Sequence, residues 1–122
     1  IGELETPIPV MAFLAKIKET MNAGVVRYTK PVKKEIQTVA ICGGSGSFLL
    51  SEAKKAGVDL FLTSDFKYHE FFDSENQIVI ADIGHYESEQ YTSVLLADFL
   101  MENFSTFAIR ISAINTNPVN YL

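Results

Sequence analysis

One histidine and one glutamate lie four residues apart where a predicted strand hands over to a predicted helix. They are His85 and Glu89, in the segment that runs from Asp82 to Glu89. Side chains at positions i and i+4 project from one face of a helix, so an imidazole nitrogen and a carboxylate oxygen can meet there. Divalent ions such as zinc and manganese bind these donor atoms and usually take three or four protein ligands. The spacing therefore predicts half of a metal site, and the remaining ligands must come from elsewhere.

A helical projection predicts the direction in which this pair faces. At about 100° per residue, three other acidic residues of the same predicted helix fall within about 60° of one another. They are Glu87, Asp98 and Glu102, and His85 and Glu89 lie on the opposite side. We therefore expect the His85–Glu89 pair to face inward rather than into solvent.

The start of a helix also biases the charges of the pair. Backbone amides there favour an anion and disfavour an imidazolium, so we expect Glu89 to be ionised and His85 to be neutral. The same positive helix end repels a cation, and further negative ligands are needed. Asp65 and Asp82 are the nearest reserves in the sequence. The alternative is a buried hydrogen bond between His85 and Glu89 that only organises the helix start.

Four residues that follow an apolar strand form a candidate substrate or anion loop: Gly43, Gly44, Ser45 and Gly46. Exposed amides in such a loop can hold a phosphate or carboxylate at the start of the next helix. The run matches neither the Walker loop nor the dinucleotide-binding fingerprint, so nucleotide-driven phosphoryl transfer is not expected. Equally, the glycines could serve only to permit a tight turn.

A second histidine follows the next predicted strand. His69 lies four residues after Asp65, and its ordinary pKa near neutrality makes it a candidate catalytic acid or base. The alternative is an idle histidine among packed aromatic residues, with Asp65 acting only as a helix cap. Those neighbouring aromatic residues are Tyr68, Phe71 and Phe72.

Helices and strands alternate along the chain and place these groups together. Apolar periodicity predicts helices from Val10 to Met21 with Thr6 as the cap, Ser47 to Ala56, Phe66 to Asp73, and Tyr86 to Phe104. It predicts strands from Val25 to Thr29, Ile36 to Cys42, Asp59 to Thr63, Ile78 to Ile83, and Phe107 to Ala113. This alternation is typical of an α/β fold with a mainly parallel or mixed sheet and helices on both faces. Ligands of such sheets collect beyond the carboxyl ends of the strands, where the three polar clusters fall.

Composition narrows the class of protein. The 122 residues are 48% hydrophobic and 20% charged, which fits a single globular domain. A net charge of -5 without a concentrated basic face makes nucleic-acid binding an unexpected function. We find no apolar run long enough to cross a bilayer, and the lone Cys42 fits a reducing compartment, so the cytoplasm is the expected location. Because the chain opens with Ile1, we expect a piece of a longer protein.

Four segments taken in order resemble one family, the Nif-three-like proteins, often labelled GTP cyclohydrolase I type 2 homologues. The segments are Val39 to Ser47, Thr63 to His69, Gly84 to Glu89, and Asn117-Pro118. The likeness covers nearly the whole chain and identifies residues 1–122 as a single α/β domain, the carboxyl-terminal half of the family fold. Where relatives often have glycine, this chain has Ser64, without the freedom that a tight turn would use.

The resemblance implies two related α/β halves that face each other across a cleft holding two divalent metals, assembled into a ring-shaped homohexamer. His85 and Glu89 match the metal ligands of the second half, and the amino-terminal half of the same protein would supply two histidines and an aspartate. Zinc, manganese and iron are the expected ions, two in each full-length subunit. The chain by itself is then expected to bind metal weakly or not at all.

Two functions stay open at this point. The first is a dinuclear metal-dependent hydrolase, with His69 as a proton shuttle and the segment from Gly43 to Gly46 as a substrate-anion contact. The second is a metal-stabilised scaffold or regulatory partner that performs no chemistry. An enzyme leaves a coordination position open for water, whereas a structural site closes its shell.

Overall fold

The computed structural model describes all of the residues from Ile1 to Leu122. Five strands form one sheet: β1 (Gly2–Pro9), β2 (Arg27–Tyr28), β3 (Glu35–Ser45), β4 (Leu60–Ser64) and β5 (Val79–Asp82). Four α-helices accompany it: α1 (Val10–Thr20), α2 (Leu50–Lys55), α3 (His85–Glu89) and α4 (Thr92–Asn103). Two 3-10 segments, Ser47–Leu49 and Tyr68–Ser74, follow β3 and β4.

The sheet is mixed, with the order β1-β3-β4-β5-β2. The three central strands run parallel, while β1 and β2 pair antiparallel at the two edges. Because parallel strands end at the same edge of a sheet, the carboxyl ends of β3, β4 and β5 lie side by side. This confirms the predicted α/β fold, and it places the three polar clusters at one edge.

Side chains from the central strands alternate between two cores, as the pleat of a strand requires. Leu60 and Leu62 of β4 point into a core beneath α1, whereas Phe61 between them points into a second core beneath α2. Strand β5 divides in the same way, with Val79 in the first core and Ile80 in the second. The prediction of helices on both faces is therefore confirmed, and the central strands hold the site on a rigid support.

The amino-terminal segment differs from the prediction. Thr6 does not cap α1, because it lies within β1, and α1 begins after Pro9 without a side-chain cap. Two prolines in the segment favoured a helix start over a strand. Proline is tolerated on an edge strand, where its missing N–H faces away from the sheet, and β1 is such a strand with an irregular register between Glu3 and Ile8.

The predicted long helix from Tyr86 to Phe104 is two helices. A turn at Gln90 and Tyr91 separates α3 from α4, and the side chains of both residues bind carbonyls at the end of α1. Gln90 Nε2 donates to Met21 O at 2.7 Å, and the Tyr91 hydroxyl donates to Thr20 O at 3.1 Å. The helical projection that joined His85 to Asp98 therefore does not apply across the turn.

The predicted strand from Phe107 to Ala113 is also wrong. The chain after α4 has no regular strand and does not pair with either edge strand, β1 or β2. A strand needs a neighbour for its backbone hydrogen bonds, and an apolar alternation alone does not provide one.

The helices of this structure lack the combination of length and apolar character that a membrane-spanning helix requires.

Candidate metal centre

His85 lies between two carboxylates at the carboxyl edge of the sheet. Its Nδ1 is 2.6 Å from Asp65 Oδ2, and its Nε2 is 3.3 Å from Glu89 Oε2. The side chains of His85, Asp65 and Glu89 are 54%, 43% and 50% exposed. The pair is therefore neither fully inward-facing nor a buried hydrogen bond, and it stays open to solvent and to a ligand.

Asp65 orients the imidazole. It follows β4 with a φ of 61°, a left-handed conformation that aspartate adopts more readily than most residues. A carboxylate that binds one ring nitrogen fixes the ring and leaves the other nitrogen to act. Its side chain contacts His85 and does not cap the following 3-10 segment, which begins after Lys67. The left-handed residue is Asp65 itself and not Ser64, so the missing glycine at position 64 does not prevent the turn.

The surroundings of His85 favour the protonated form more than the position at a helix start predicts. The hydrogen bond to Asp65, aided by the negative charges of Asp65 and Glu89, raises the pKa of His85 above its ordinary value, although desolvation opposes this. Two adjacent carboxylates outweigh the helix start because α3 is a single short turn with a small dipole. A proton therefore competes with any cation for Nε2.

Glu87 is buried, although the helical projection placed it on the solvent side of the helix. Its side chain is buried, while His85 and Glu89 on either side are half-exposed. Asn117 Nδ2 donates to Glu87 Oε1 at 3.4 Å, and the phenol of Tyr121 lies beside the same carboxylate. Burial, followed by the charge of Glu87, raises the pKa of Tyr121. Asn117 belongs to a motif that the sequence singled out, whereas no sequence signal identified Tyr121.

Asp82 stabilises the fold and is not available as a metal ligand. Its buried carboxylate accepts hydrogen bonds from Arg27 Nη2 and from the backbone amides of Phe66 at 2.9 Å and Gly84 at 3.0 Å. Both oxygens are therefore engaged. The contacts join β2, the segment after β4 and the turn before α3, which fixes the frame around His85.

The predicted anion loop is the end of strand β3. Gly43, Gly44 and Ser45 belong to the strand, and the Gly44 amide donates to Ser88 Oγ at 2.8 Å. Gly44 has a φ of 64°, and a Cβ built there would lie 2.6 Å from Glu89 Oε1. Glycine at this position therefore leaves room for the carboxylate of Glu89, a role that the sequence did not reveal. An anion contact by this segment stays a prediction.

A cavity of about 620 Å³ opens at the pair. Its walls include Asp65, His85 and Glu89 on one side and the carboxyl-terminal residues Asn117 and Tyr121 on another. His69 does not line it. The imidazole of His69 is exposed on the 3-10 segment after β4 and contacts the ring of Tyr68, so the structure does not bring His69 into this group.

The donor set fits half of a metal site. Two ligands bound to one tetrahedral ion at ~2.0–2.1 Å are themselves about 3.4 Å apart, close to the spacing between His85 Nε2 and Glu89 Oε2. No three histidine, cysteine, aspartate or glutamate side chains form a set that could hold an ion. Asp65 is not a third ligand because its carboxylate faces the opposite ring nitrogen.

Comparison with known proteins gives the family. The sequence matches the family described as Duf34/NIF3 (NGG1p interacting factor 3) over residues 1–118. The chain belongs to this family. The family predicted from the sequence motifs is therefore confirmed.

Two curated relatives carry the name GTP cyclohydrolase 1 type 2 homolog. The protein from Campylobacter jejuni is 40% identical over 106 residues, covering 86% of this chain and 42% of the relative. The protein from Staphylococcus aureus is 34% identical over 127 residues, covering all of this chain and 34% of the relative. This Duf34/NIF3 chain therefore spans less than half the length of either protein.

Solved structures agree with the fold. The Staphylococcus aureus hypothetical protein SA1388 superposes with a TM-score of 0.86 at 33% identity, over 98% of this chain and 36% of that one. A Bacillus cereus protein related to NIF3 superposes with a TM-score of 0.81 at 23% identity, over 99% of this chain and 35% of that one. The latter likeness concerns the fold alone.

Proposed function

We propose that this chain supplies two ligands, His85 and Glu89, to a divalent-metal site in a metal-dependent hydrolase. The observation that carries the proposal is the approach of His85 Nε2 to Glu89 Oε2 at 3.3 Å on the wall of an open cavity. Zinc, manganese and iron are the ions that suit these donors, and we propose two ions in each full-length subunit.

The residues around the pair prepare it for an ion. Asp65 accepts a hydrogen bond from Nδ1 of His85, and in the neutral imidazole this leaves the lone pair of Nε2 for a ligand bond. Gly44 leaves space for the Glu89 carboxylate. The hydrogen bond from the Gly44 amide to Ser88 Oγ holds the end of β3 against α3. An ion bound there would activate a water molecule and polarise a substrate oxygen.

The remaining ligands are proposed to come from the amino-terminal half of the same protein. Support comes from the count of donors, since this chain offers two where three or four are usual. It also comes from length, because the chain covers 42% and 34% of its two curated relatives. A homohexameric ring in the cytoplasm completes this proposal.

Helix α4 offers a packing surface for such an assembly. Only Ala97 is buried among its twelve residues, while a row of large apolar side chains is exposed. They are Val94, Leu95, Leu96, Phe99, Leu100 and Met101. Exposed apolar area on this scale favours contact with another protein surface. The same observation favours the second candidate function, a non-catalytic scaffold or regulatory partner.

The metal proposal is tested with the full-length protein. Wild type, His85→Ala and Glu89→Gln are freed of metal with a chelator and titrated with Mn²⁺ and Zn²⁺ in a calorimeter. His69→Ala is the matched control, because it removes an exposed histidine outside the cavity. We expect the first two variants to lose at least tenfold in affinity and the control to keep the wild-type value. Equal affinities in all four proteins would refute the ligand assignment.

A second experiment separates enzyme from scaffold. The metal-loaded protein is screened against phosphoesters and GTP, and any activity is measured again in Glu89→Gln. Loss of activity with a persisting fold supports the hydrolase, whereas no activity with any of the three metals supports the scaffold. The shuttle role that the sequence suggests for His69 predicts slower hydrolysis in His69→Ala at unchanged metal content, and an unchanged rate would eliminate that role. The anion role of the segment from Gly43 to Gly46 predicts a higher KM in Gly43→Ala, because the added methyl group fits the structure but narrows the approach to the amides of this segment.

A further inference from the structure

Arg27 lines a second cavity besides the metal cavity. This second cavity, the aromatic groove, has a volume of about 420 Å³ and lies between β2 and the 3-10 segment Tyr68–Ser74. Its size is in the range of small-molecule sites. The metal ligands His85 and Glu89 are not part of it, so the proposed hydrolase does not account for this groove.

Three aromatic side chains stand exposed around the groove. Tyr68 is 72% exposed, Phe72 is 65% exposed and Tyr28 is exposed on the opposite wall. Tyr68 and Phe72 meet edge to face with ring centroids 5.5 Å apart. Behind them, Phe71 packs against the core residue Phe66 with centroids 5.4 Å apart. The apolar wall is therefore held in place and presents ring faces that could stack on a planar ligand.

One unpaired cation and the free donors of a paired one lie beside these rings: Lys30 is unpaired, whereas Arg27 is paired with Asp82 and lies over the ring of Phe71. The amine of Lys30 has no carboxylate partner within 4.0 Å. Arg27 contacts Asp82 and Phe66 O through Nη2 alone, so its Nη1 and Nε donors make no hydrogen bond. A lysine and the free edge of a guanidinium are donors that suit a phosphate group.

The third wall carries polar groups that suit the edge of a heterocycle. The side-chain amide of Asn76 makes no hydrogen bond and can donate to and accept from a ligand. Glu75 is the one carboxylate that lines the groove, and Lys54 binds it at 2.7 Å. Lys54 therefore neutralises Glu75, which reduces the repulsion that an anionic ligand would meet in the groove.

We propose that the aromatic groove binds a nucleoside phosphate, with the base against Tyr68 and Phe72 and the phosphate at Lys30 and Arg27. Aromatic rings, the unpaired amine of Lys30, the remaining N–H donors of Arg27 and a free amide occur together there, and a nucleotide is the ligand class that uses all of them. A peptide without acidic groups would use the rings but would leave the amine of Lys30 without an anion. The groove is independent of the metal pair in this proposal.

The test measures binding of adenosine 5′-monophosphate to the full chain by calorimetry, with a chelator present to remove metal. Ribose 5-phosphate lacks the base and adenosine lacks the phosphate, so the two probes separate stacking from charge. We expect the monophosphate to bind more tightly than either. Phe72→Ala should weaken its binding about tenfold, as expected for the loss of one stacking partner. Phe48→Ala is the matched control, because Phe48 is exposed to a similar extent and lies outside the groove.

Lys30→Ala should weaken the binding of adenosine 5′-monophosphate and leave the binding of adenosine unchanged. Three results would overturn the proposal: ribose 5-phosphate binding as tightly as the monophosphate, wild-type affinity in Phe72→Ala, or no binding at millimolar ligand. A change of oligomeric state in Phe72→Ala without nucleotide binding would assign the rings to a protein interface instead. Because metal is absent throughout, none of these outcomes bears on His85 and Glu89.

Discussion

Four carboxylates near the ends of the central strands fall into two pairs that differ in how they are bound. Asp59 accepts hydrogen bonds from Lys33, from the Gln37 amide and from both the amide and hydroxyl of Thr38. Asp82 at the opposite edge is bound by one guanidinium and two amides. The other pair, Asp65 and Glu89, has His85 as its one polar side-chain partner and is half-exposed.

This difference distinguishes carboxylates that stabilise the fold from carboxylates that are available to bind a ligand. A carboxylate that is surrounded by backbone amides is already satisfied, and its removal leaves buried donors without partners. A half-exposed carboxylate costs the fold little and keeps acceptor capacity for a ligand. The first pair should therefore govern stability, and the second pair should govern metal binding.

Asp82→Ala should have the largest effect on the free energy of unfolding. It leaves the Phe66 and Gly84 amides without acceptors and opens a buried space, so we expect a loss of about 3 kcal/mol. Urea unfolding at pH 7 measures it. Asp73→Ala, an exposed aspartate on the 3-10 segment, should stay within about 0.5 kcal/mol of wild type. Equal stability of the two variants would remove the structural role from Asp82.

Asp59→Asn should cost about 1–2 kcal/mol at pH 7. Partial burial raises the pKa of Asp59, but the hydrogen bonds from Lys33, Thr38 and Gln37 outweigh it and hold the pKa well below the ordinary value. A depressed pKa in the folded protein gives stability above the unfolded pKa of 3.8, and that stability falls as the pH drops through the folded value.

The stability difference between wild type and Asp59→Asn should therefore be constant from pH 7 to about pH 5 and shrink below about pH 4. Urea titrations across this range measure it, with Asp98→Asn as an exposed control. A difference that grows in acid would contradict the hydrogen-bond assignment of Asp59.

Gly44→Ala tests the space behind the metal pair, and Gly57→Ala is its matched control. Both glycines have a positive φ, 64° and 68°, so each alanine should cost about 1 kcal/mol of stability. Open space surrounds Gly57, whereas a methyl group at Gly44 would press on Glu89 Oε1. Only Gly44→Ala should weaken Mn²⁺ binding by the full-length protein. Equal metal affinity in both variants would show that Glu89 does not depend on this space.

Asp65→Asn should have the smallest effect on the fold, within about 0.5 kcal/mol, because asparagine also tolerates a left-handed backbone. Its effect on metal affinity should still be about 10–100-fold, since the carboxylate that orients His85 is lost. Thermal melting and Mn²⁺ calorimetry measure the two quantities. An unfolded variant, or one with wild-type affinity, would abolish the contrast between the two pairs.

Local patterns were sufficient for the parts of the molecule that depend on neighbouring residues. The four-residue spacing of His85 and Glu89 and the apolar runs of β4 and β5 could be recognised without any distant contact, and the family follows from the order of the motifs. The strand pattern at Phe107 was equally apolar, yet no strand formed there because this segment pairs with neither edge of the sheet, and a local pattern does not contain that information.

Distant contacts decided what the sequence missed. Glu87 is buried because Asn117 and Tyr121 return to cover it from 30 or more positions along the chain. Asp65 became the partner of His85 because β4 and β5 end side by side, and no helical projection contains that information. Residues that meet across strand ends therefore need the sheet order before their roles can be assigned.

Anomalous diffraction from crystals of the full-length protein grown with Mn²⁺ or Zn²⁺ tests the central claim most directly. The account predicts an anomalous peak within bonding distance of both His85 Nε2 and Glu89 Oε2, with Asp65 still on Nδ1. A fully occupied ion bound elsewhere, with these two side chains free of it, would contradict the account.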